Sequence, residues 1–394
     1  MSHKKIIYFV YNSPLDLKNG SNTHILEITS HVSKNMSILL FAPLSTSCKK
    51  LPNFISYIKV SGSNVSSIFY QLSYQIGLFV KLFSNYIDRK PDVIYERISG
   101  WSILPALVAK IFNTPYIAEV NGLLVEELKI DHYPSIYMKI CAFNERRNYN
   151  YSKKIVCVTS GIKNGLINLY NVPSEKIVVI NNGANTDLFY PIDSEAARAK
   201  LKLEVSKKYI CFVGNLARWQ GMEYLIEAAP LILKRCPNLS FLIIGDGLMK
   251  SKLIQLTHKF GVFDNFIFTG SVPYDKVPLY INAGNVCVAP FIMERNARIG
   301  LSPLKLYEYM ACGKPVVASA ISGVSEVLEL SKGGISVPPE NSEALADAIA
   351  VLLENDVLSR ELGMNGLHYV MINHSWSNIA KKLINVCEDA IVDN

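Results

Sequence analysis

Pro290-Phe-Ile-Met-Glu-Arg-Asn-Ala-Arg-Ile-Gly-Leu-Ser-Pro-Leu-Lys-Leu-Tyr-Glu-Tyr-Met-Ala-Cys-Gly-Lys-Pro-Val-Val-Ala-Ser319 reads as a strand end, a charged loop, a helix, a glycine turn and a buried strand. Ser302 is a favoured N-cap residue and Pro303 suits the first helical position. That puts Lys305 at the third position, where a capping box would carry Glu or Gln. A cation there opposes the helix dipole. A helix start that offers free N–H groups, Lys305, and Arg295 and Arg298 just upstream suits an anion such as a diphosphate. Glu308, one turn on, suits a ribose. The same residues also read as an ordinary helix on which Lys305 and Glu308, three apart, form a surface ion pair. This stretch alone leaves both readings open.

The surrounding chain repeats the same alternation. Apolar runs at Tyr209 to Val213, Ser240 to Ile244, Phe266 to Thr269, Val286 to Ala289, Pro315 to Ala318 and Gly334 to Val337 are separated by helix-like segments. An earlier set comprises Ile6 to Val10, Ser37 to Phe41, Val93 to Tyr95, Tyr116 to Val120, Ile155 to Val158 and Ile177 to Ile180. Alternation of this kind predicts an α/β chain with two doubly wound, Rossmann-like parallel-sheet domains facing a cleft. The first domain is expected over 1–190 and the second over 191–375. A closing amphipathic helix over 376–394 is expected to pack back on the first. Ile68, Leu72, Ile76, Phe79, Val80, Phe83 and Ile87 recur at helical spacing and predict a helix with one strongly apolar face. That face reads first as core; with Lys81, Arg89 and Lys90 nearby, the second reading is a membrane surface.

With 394 residues, 49% of them apolar, the chain can build two or three cores. Of its 40 Lys+Arg and 33 Asp+Glu, 20 and 12 lie in residues 1–190, net +8, which leaves 20 and 21, net −1, for the rest. Without a recognisable nucleic-acid module, that basic half points to an acidic membrane or acceptor rather than to nucleic acid. The 8 cysteines are scattered, with no Cys-x-x-Cys and no zinc spacing, so neither a disulfide framework nor a structural metal is expected. The apolar run after Lys4-Lys5 is too short for a signal core, and no run has membrane-spanning length. The expected location is the cytoplasm, with contact at the inner face of a membrane.

Ligands of doubly wound sheets bind beyond the carboxyl ends of the strands. Gly214-Asn-Leu-Ala-Arg-Trp-Gln-Gly221 follows one strand and offers Arg218 and Gln220 as donors, while Gly245-Asp-Gly247 follows the next. Neither loop is specific alone, and Arg218 reads equally as a solvated surface charge.

The order of Val179-Ile-Asn-Asn-Gly-Ala-Asn-Thr-Asp-Leu-Phe-Tyr-Pro191, Gly214 to Gly221, Ile243-Ile-Gly-Asp-Gly247, Gly270 with Val277-Pro-Leu-Tyr-Ile281, Ser302 to Ser319 and Gly333-Gly-Ile-Ser-Val-Pro-Pro339 resembles the retaining glycosyltransferases of family 4, which have the GT-B fold. The resemblance implies transfer of a sugar from a nucleotide-sugar donor to a hydroxyl of a sugar, glycan or lipid-linked acceptor, with retention, in polysaccharide, lipopolysaccharide or glycolipid assembly. It implies catalytic roles for Lys305, Arg218 and Glu308. Donor contacts are implied for Gly20, Asn215, Gln220, Gly245, Arg298, Ser302 and Leu304, and an acceptor side for His24, Glu119, Asn121 and Ser160. His24 is expected to open the helix after the Gly20 loop, and it reads nearly as well as a capping or surface histidine.

Three departures from the family pattern stand out. Glu119-Val-Asn-Gly122 lies where the family often has a histidine. Gly300 stands eight residues before Glu308, where the first of two glutamates is expected, and Glu294 is the candidate to reach back. Asn215 and Gln220 occupy the positions of a basic pair, so Arg218 and Lys305 would restore the charge. The chain has no Asp-x-Asp, and no metal or other cofactor is expected. The alternatives within the fold are a nucleotide-sugar epimerase and a non-catalytic partner of another transferase. Ser302-Pro-Leu-Lys305 also matches a Ser-x-x-Lys nucleophile motif, but without Ser-Asp-Asn or Lys-Thr-Gly the match is coincidental.

Overall fold

The computed structural model describes residues 4–15, 20–43, 56–60, 68–130, 133–296 and 300–392, so Arg298 lies outside the described residues. The chain divides into two compact units, Met1–Asn181 with Ser377–Asn394, and Asn182–Trp376.

The first unit begins with β1 (Ile6–Tyr11), α1 (Gly20–Val32), β2 (Ser37–Pro43), β3 (Ser56–Val60) and α2 (Ile68–Asp88). Next come β4 (Val93–Arg97), α3 (Leu104–Ile111), β5 (Tyr116–Val120), α4 (Leu124–Ile130) and α5 (Ser135–Tyr151). It ends with β6 (Lys154–Cys157), α6 (Ser160–Tyr170) and β7 (Ile177–Val179). The strands form one parallel sheet in the order β3-β2-β1-β4-β5-β6-β7. The winding reverses between β1 and β4, which opens a crevice beyond their carboxyl ends. The sequence did not signal β3: Ser-Tyr-Ile-Lys-Val is a short alternating strand at the sheet edge, not a continuous apolar run.

The apolar face expected for α2 is corrected. Tyr74, Leu78, Leu82 and Tyr86 form the buried side, whereas Ile76, Val80, Phe83 and Ile87 are 64%, 56%, 39% and 72% exposed. The helix is apolar on two sides, and its tyrosines take the inner one because their hydroxyls find partners. Tyr74 donates to the Tyr11 carbonyl at 3.2 Å, and the Tyr86 hydroxyl lies 2.6 Å from Thr114 Oγ1.

The second unit opens with α7 (Ser194–Lys200), β8 (Lys208–Val213), α8 (Met222–Arg235), β9 (Leu239–Ile244), α9 (Lys250–Lys259) and β10 (Phe266–Gly270). It continues through α10 (Val277–Ala283), β11 (Val286–Ala289), α11 (Met293–Asn296), α12 (Leu304–Ala311), β12 (Val316–Ser319) and α13 (Val324–Ser331). β13 (Gly334–Val337), α14 (Ser342–Glu354) and α15 (Asp356–Asn373) complete it. Its parallel sheet runs β10-β9-β8-β11-β12-β13, so the winding reverses between β8 and β11. Side chains alternate between two cores: Tyr209 and Cys211 of β8 join α10, α12 and α13 on one face, and Ile210 and Phe212 join α8 and α14 on the other. The final helix, α16 (Trp376–Val392), belongs to the first unit from Ser377 onward, where Glu388 lies 3.9 Å from Lys5. Among the described residues no helix is long and apolar enough to cross a membrane.

Candidate active site

In the second unit the loops after β8, β9 and β10 are laced at the carboxyl end of the sheet. Gly214 N–H donates to the Ile244 carbonyl, Leu216 N–H to Asp246 and Gly245 N–H to Gly270, at 2.8–2.9 Å. Above the switch between β8 and β11 sits Lys305, on the first turn of α12 and only 9% exposed. Its Nζ donates to Gln220 Oε1 at 2.6 Å and lies 3.9 Å from the Phe212 ring centroid and 5.4 Å from that of Phe291. A Cβ on Gly214 would come within 2.6 Å of this Nζ, so the loop must carry glycine where the ammonium passes. Burial pushes the Lys305 pKa down to about 7, partly countered by the charge of Glu308. An ammonium has three donors and Gln220 supplies one acceptor, which leaves capacity for an anion. Gln220 is thus the residue that aims Lys305. Asn215 stays exposed beside Gly247.

Arg218 is a surface residue, paired at 3.2 Å with Glu294, so the carboxylate expected to reach back is held by this arginine. Glu308 is buried and accepts a 3.0 Å hydrogen bond from Tyr274, whose ring packs against Phe189 at 5.3 Å. Neither Tyr274 nor its role had a sequence signal.

The capping expectation at Ser302 is corrected. α12 starts at Leu304 with Pro303 at the cap and no side-chain cap bond. The Ser302 hydroxyl accepts instead from Asn182 N–H at 2.9 Å and lies 3.1 Å from the Tyr307 hydroxyl, while its carbonyl accepts from Asn182 Nδ2 at 2.6 Å. His374, stacked on Tyr307 at 4.5 Å, lies with its Nδ1 3.0 Å from the Asn182 carbonyl. The chain entering this unit therefore fixes the start of α12.

Gly300 explains the missing glutamate. Its φ is 66°, and a Cβ there would lie 2.6 Å from the Ser322 carbonyl oxygen, which also accepts Leu301 N–H at 2.8 Å. A side chain at this position meets both backbone strain and backbone atoms. Gly300→Glu is therefore expected to cost ~2 kcal/mol or more in stability and to give no gain in turnover, as thermal melts and rate assays would read.

In the first unit a second cluster forms at the ends of β4 and β5. Glu119 is 1% exposed. Its Oε2 accepts from the Tyr95 hydroxyl at 2.7 Å; its Oε1 accepts from Asn121 Nδ2 at 2.6 Å and Arg97 Nη1 at 3.2 Å, with His24 Nε2 at 3.1 Å. Burial alone would push the Glu119 carboxyl up. The pull of His24 and Arg97 and the bonds from His24 and Asn121 outweigh it and hold the group well below the usual carboxylate range. Glu119 therefore binds its neighbours, and Arg97, His24 and Asn121 are what it positions. On the opposite face of the sheet, buried Glu96 accepts from Asn12 Nδ2 at 2.9 Å and Tyr116 at 2.7 Å, and burial pushes its carboxyl up. His24 does not open a helix, because α1 begins at exposed Gly20 and His24 lies buried in its second turn. Ser160, exposed at the start of α6 and capped by Thr159, takes no part in these bonds. Arg97, Tyr95 and Asn12 were missed; a charged pair, Glu96-Arg97, closing a buried strand was the available signal. Among the described residues no three His, Cys, Asp or Glu side chains gather as a metal site would require.

Two family patterns cover almost the whole chain: Glycosyltransferase Family 4 over residues 18–188 and Glycosyl transferases group 1 over residues 193–369. An uncharacterised glycosyltransferase of Methanocaldococcus jannaschii is 31% identical over 314 residues, 77% of this chain and 76% of that protein. The alpha-D-kanosaminyltransferase of Streptomyces kanamyceticus is 25% identical over 286 residues, 72% of each. Among solved structures, sucrose-phosphate synthase from Thermosynechococcus elongatus superposes with a TM-score of 0.82 at 20% identity, over 99% of this chain and 100% of that one.

Proposed function

The chain belongs to the family 4 glycosyltransferases, and from that premise we propose that its second unit holds the donor diphosphate on Lys305 and the start of α12. The enzyme transfers a sugar from a nucleotide-sugar donor. The observation that carries the assignment is the nearly buried Lys305 ammonium, aimed by Gln220 at the point where the sheet reverses. As the glycosidic C–O bond breaks, negative charge grows on the diphosphate, and Lys305 with the helix N–H groups stabilises it more in the transition state than in the ground state. Protein cations then do the neutralising that a metal does in other transferases. Glu308, held by Tyr274, takes the ribose. Exposed Arg218, paired with Glu294, adds little net charge at the diphosphate, which leaves that role to Lys305. His24, Asn121 and Arg97 face an acceptor hydroxyl, whose oxygen attacks the anomeric carbon of the donor on the face the leaving diphosphate departs from, with the leaving phosphate taking the hydroxyl proton. The acceptor is a lipid-linked or cell-surface glycan, in keeping with the basic first half of the chain.

A proton-linkage measurement tests the donor site. Free Lys305 loses its proton as pH rises through about 7, whereas a bound diphosphate favours the charged form and raises that pKa. Nucleotide-sugar binding at about pH 8 is therefore expected to take up a proton, and at about pH 6 to take up almost none. The doubly esterified diphosphate of the donor does not titrate there, so calorimetry in buffers of different ionisation enthalpy reads the protein group. Equal uptake at both pH values would move the diphosphate away from Lys305.

A further inference from the structure

The outward stripe Ile76, Val80, Phe83 and Ile87 continues beyond α2. The Phe112 ring, just past α3, lies 5.3 Å from Phe83 and stacks on Tyr86 at 3.9 Å, and α3 in turn meets α5, where Lys110 Nζ lies 4.8 Å above the Tyr151 ring. The three helices form one layer on the first sheet. Ile111 is exposed at the end of α3, and α5 exposes Ile136, Ile140 and Phe143 at helical spacing. Isolated exposed apolar residues are ordinary, but stripes on adjacent helices are not.

The charge on this layer is almost all of one sign. Lys81 is exposed on α2, with Arg89 and Lys90 after its end; Lys110 is exposed on α3, and Lys139 and Arg146 on α5. Against them stand Asp88 at the end of α2 and Asp92 just beyond it, the latter holding the Ile6 N–H at 2.6 Å, while Glu145 of α5 is buried and bonded to Tyr170 at 2.6 Å. We propose that the outer face of α2, α3 and α5 docks on an anionic lipid bilayer, apolar side chains entering the acyl boundary and the basic heads reaching the phosphate level. A second copy of the chain fits this face poorly. It would bring cation against cation, and the cores of protein interfaces are depleted in lysine. The inference stands on this surface alone and not on the transfer reaction.

The test is co-sedimentation of the full chain with vesicles of phosphatidylcholine, alone or mixed with phosphatidylglycerol. Pelleting is expected with the anionic vesicles and not with phosphatidylcholine alone, and it should weaken with added salt. Ile76→Ser combined with Ile87→Ser, at the two most exposed positions of the stripe, should reduce partition at least ~10-fold, and Lys81→Glu with Lys139→Glu should do likewise, with melting temperature and nucleotide-sugar affinity unchanged. Wild-type protein that stays in the supernatant with anionic vesicles overturns the proposal, as do variants that pellet like wild type. It is overturned equally by a lipid-free dimer in sedimentation velocity that the same substitutions dissolve.

Discussion

Lys305→Met is expected to lower kcat/KM by at least ~100-fold while the protein melts no lower than wild type. Both halves follow from the same burial. The ammonium is only 9% exposed and lies over Phe212, and methionine keeps most of that packing without the charge. Burying the charge opposes folding. The unfolded chain holds this proton up to the ordinary lysine value of 10.5, whereas the folded protein releases it near 7. Wild-type stability should therefore rise with pH between those values, and the methionine variant should lack that rise. A residue kept at a cost to stability is one whose charge serves a substrate. Initial rates with a nucleotide sugar, together with melts at neutral and alkaline pH, read the two effects separately. Unchanged turnover would remove Lys305 from the chemistry, and a lower melting temperature with an alkaline profile like the wild type's would make the lysine a structural residue.

The central strands were legible because both faces of a parallel sheet are buried, so β8, β9, β11 and β12 appear as continuous apolar runs. β3 was not, because an edge strand needs no such run. The sided reading of α2 failed because tyrosine counts as polar in a periodicity argument yet is buried once its hydroxyl is satisfied. Lys305 stood out by violating a local rule, a cation where the helix dipole disfavours one, and such violations are where function shows in sequence. The absence at Gly300 was equally visible, but its reason, a positive φ against the Ser322 carbonyl, belongs to tertiary structure. Ser302 has the right chemistry for a cap, and its hydroxyl is nevertheless claimed by Asn182, 120 positions away. The Glu119 cluster was half visible: the carboxylate and Asn121 are in one loop, whereas Tyr95 and Arg97 reach it through the parallel register of β4 and β5.

Glu119→Gln carries the second large effect, a loss of ~3 kcal/mol in folding stability at neutral pH. Glutamine keeps the shape and can still accept from Tyr95 or Asn121, but it leaves the Arg97 guanidinium, 15% exposed, without its counter-charge. Because Glu119 is held below its ordinary value of 4.5, its stabilisation is complete above that pH and drains away as pH falls below it. Urea unfolding should therefore separate wild type from the variant at neutral pH and bring them together in acid. Glu96→Gln is the control. Its partners Asn12, Ser102 and Tyr116 are neutral donors, so removing its charge unpairs no cation and should cost less. Equal losses in the two variants at every pH would mean that shape, not charge, holds this end of the sheet. Since Oε1 of Glu119 also binds Asn121 and lies against His24, the variant should raise the acceptor KM and leave donor affinity as it was. A change in donor affinity with the acceptor KM unaltered would take His24 and Asn121 off the acceptor side.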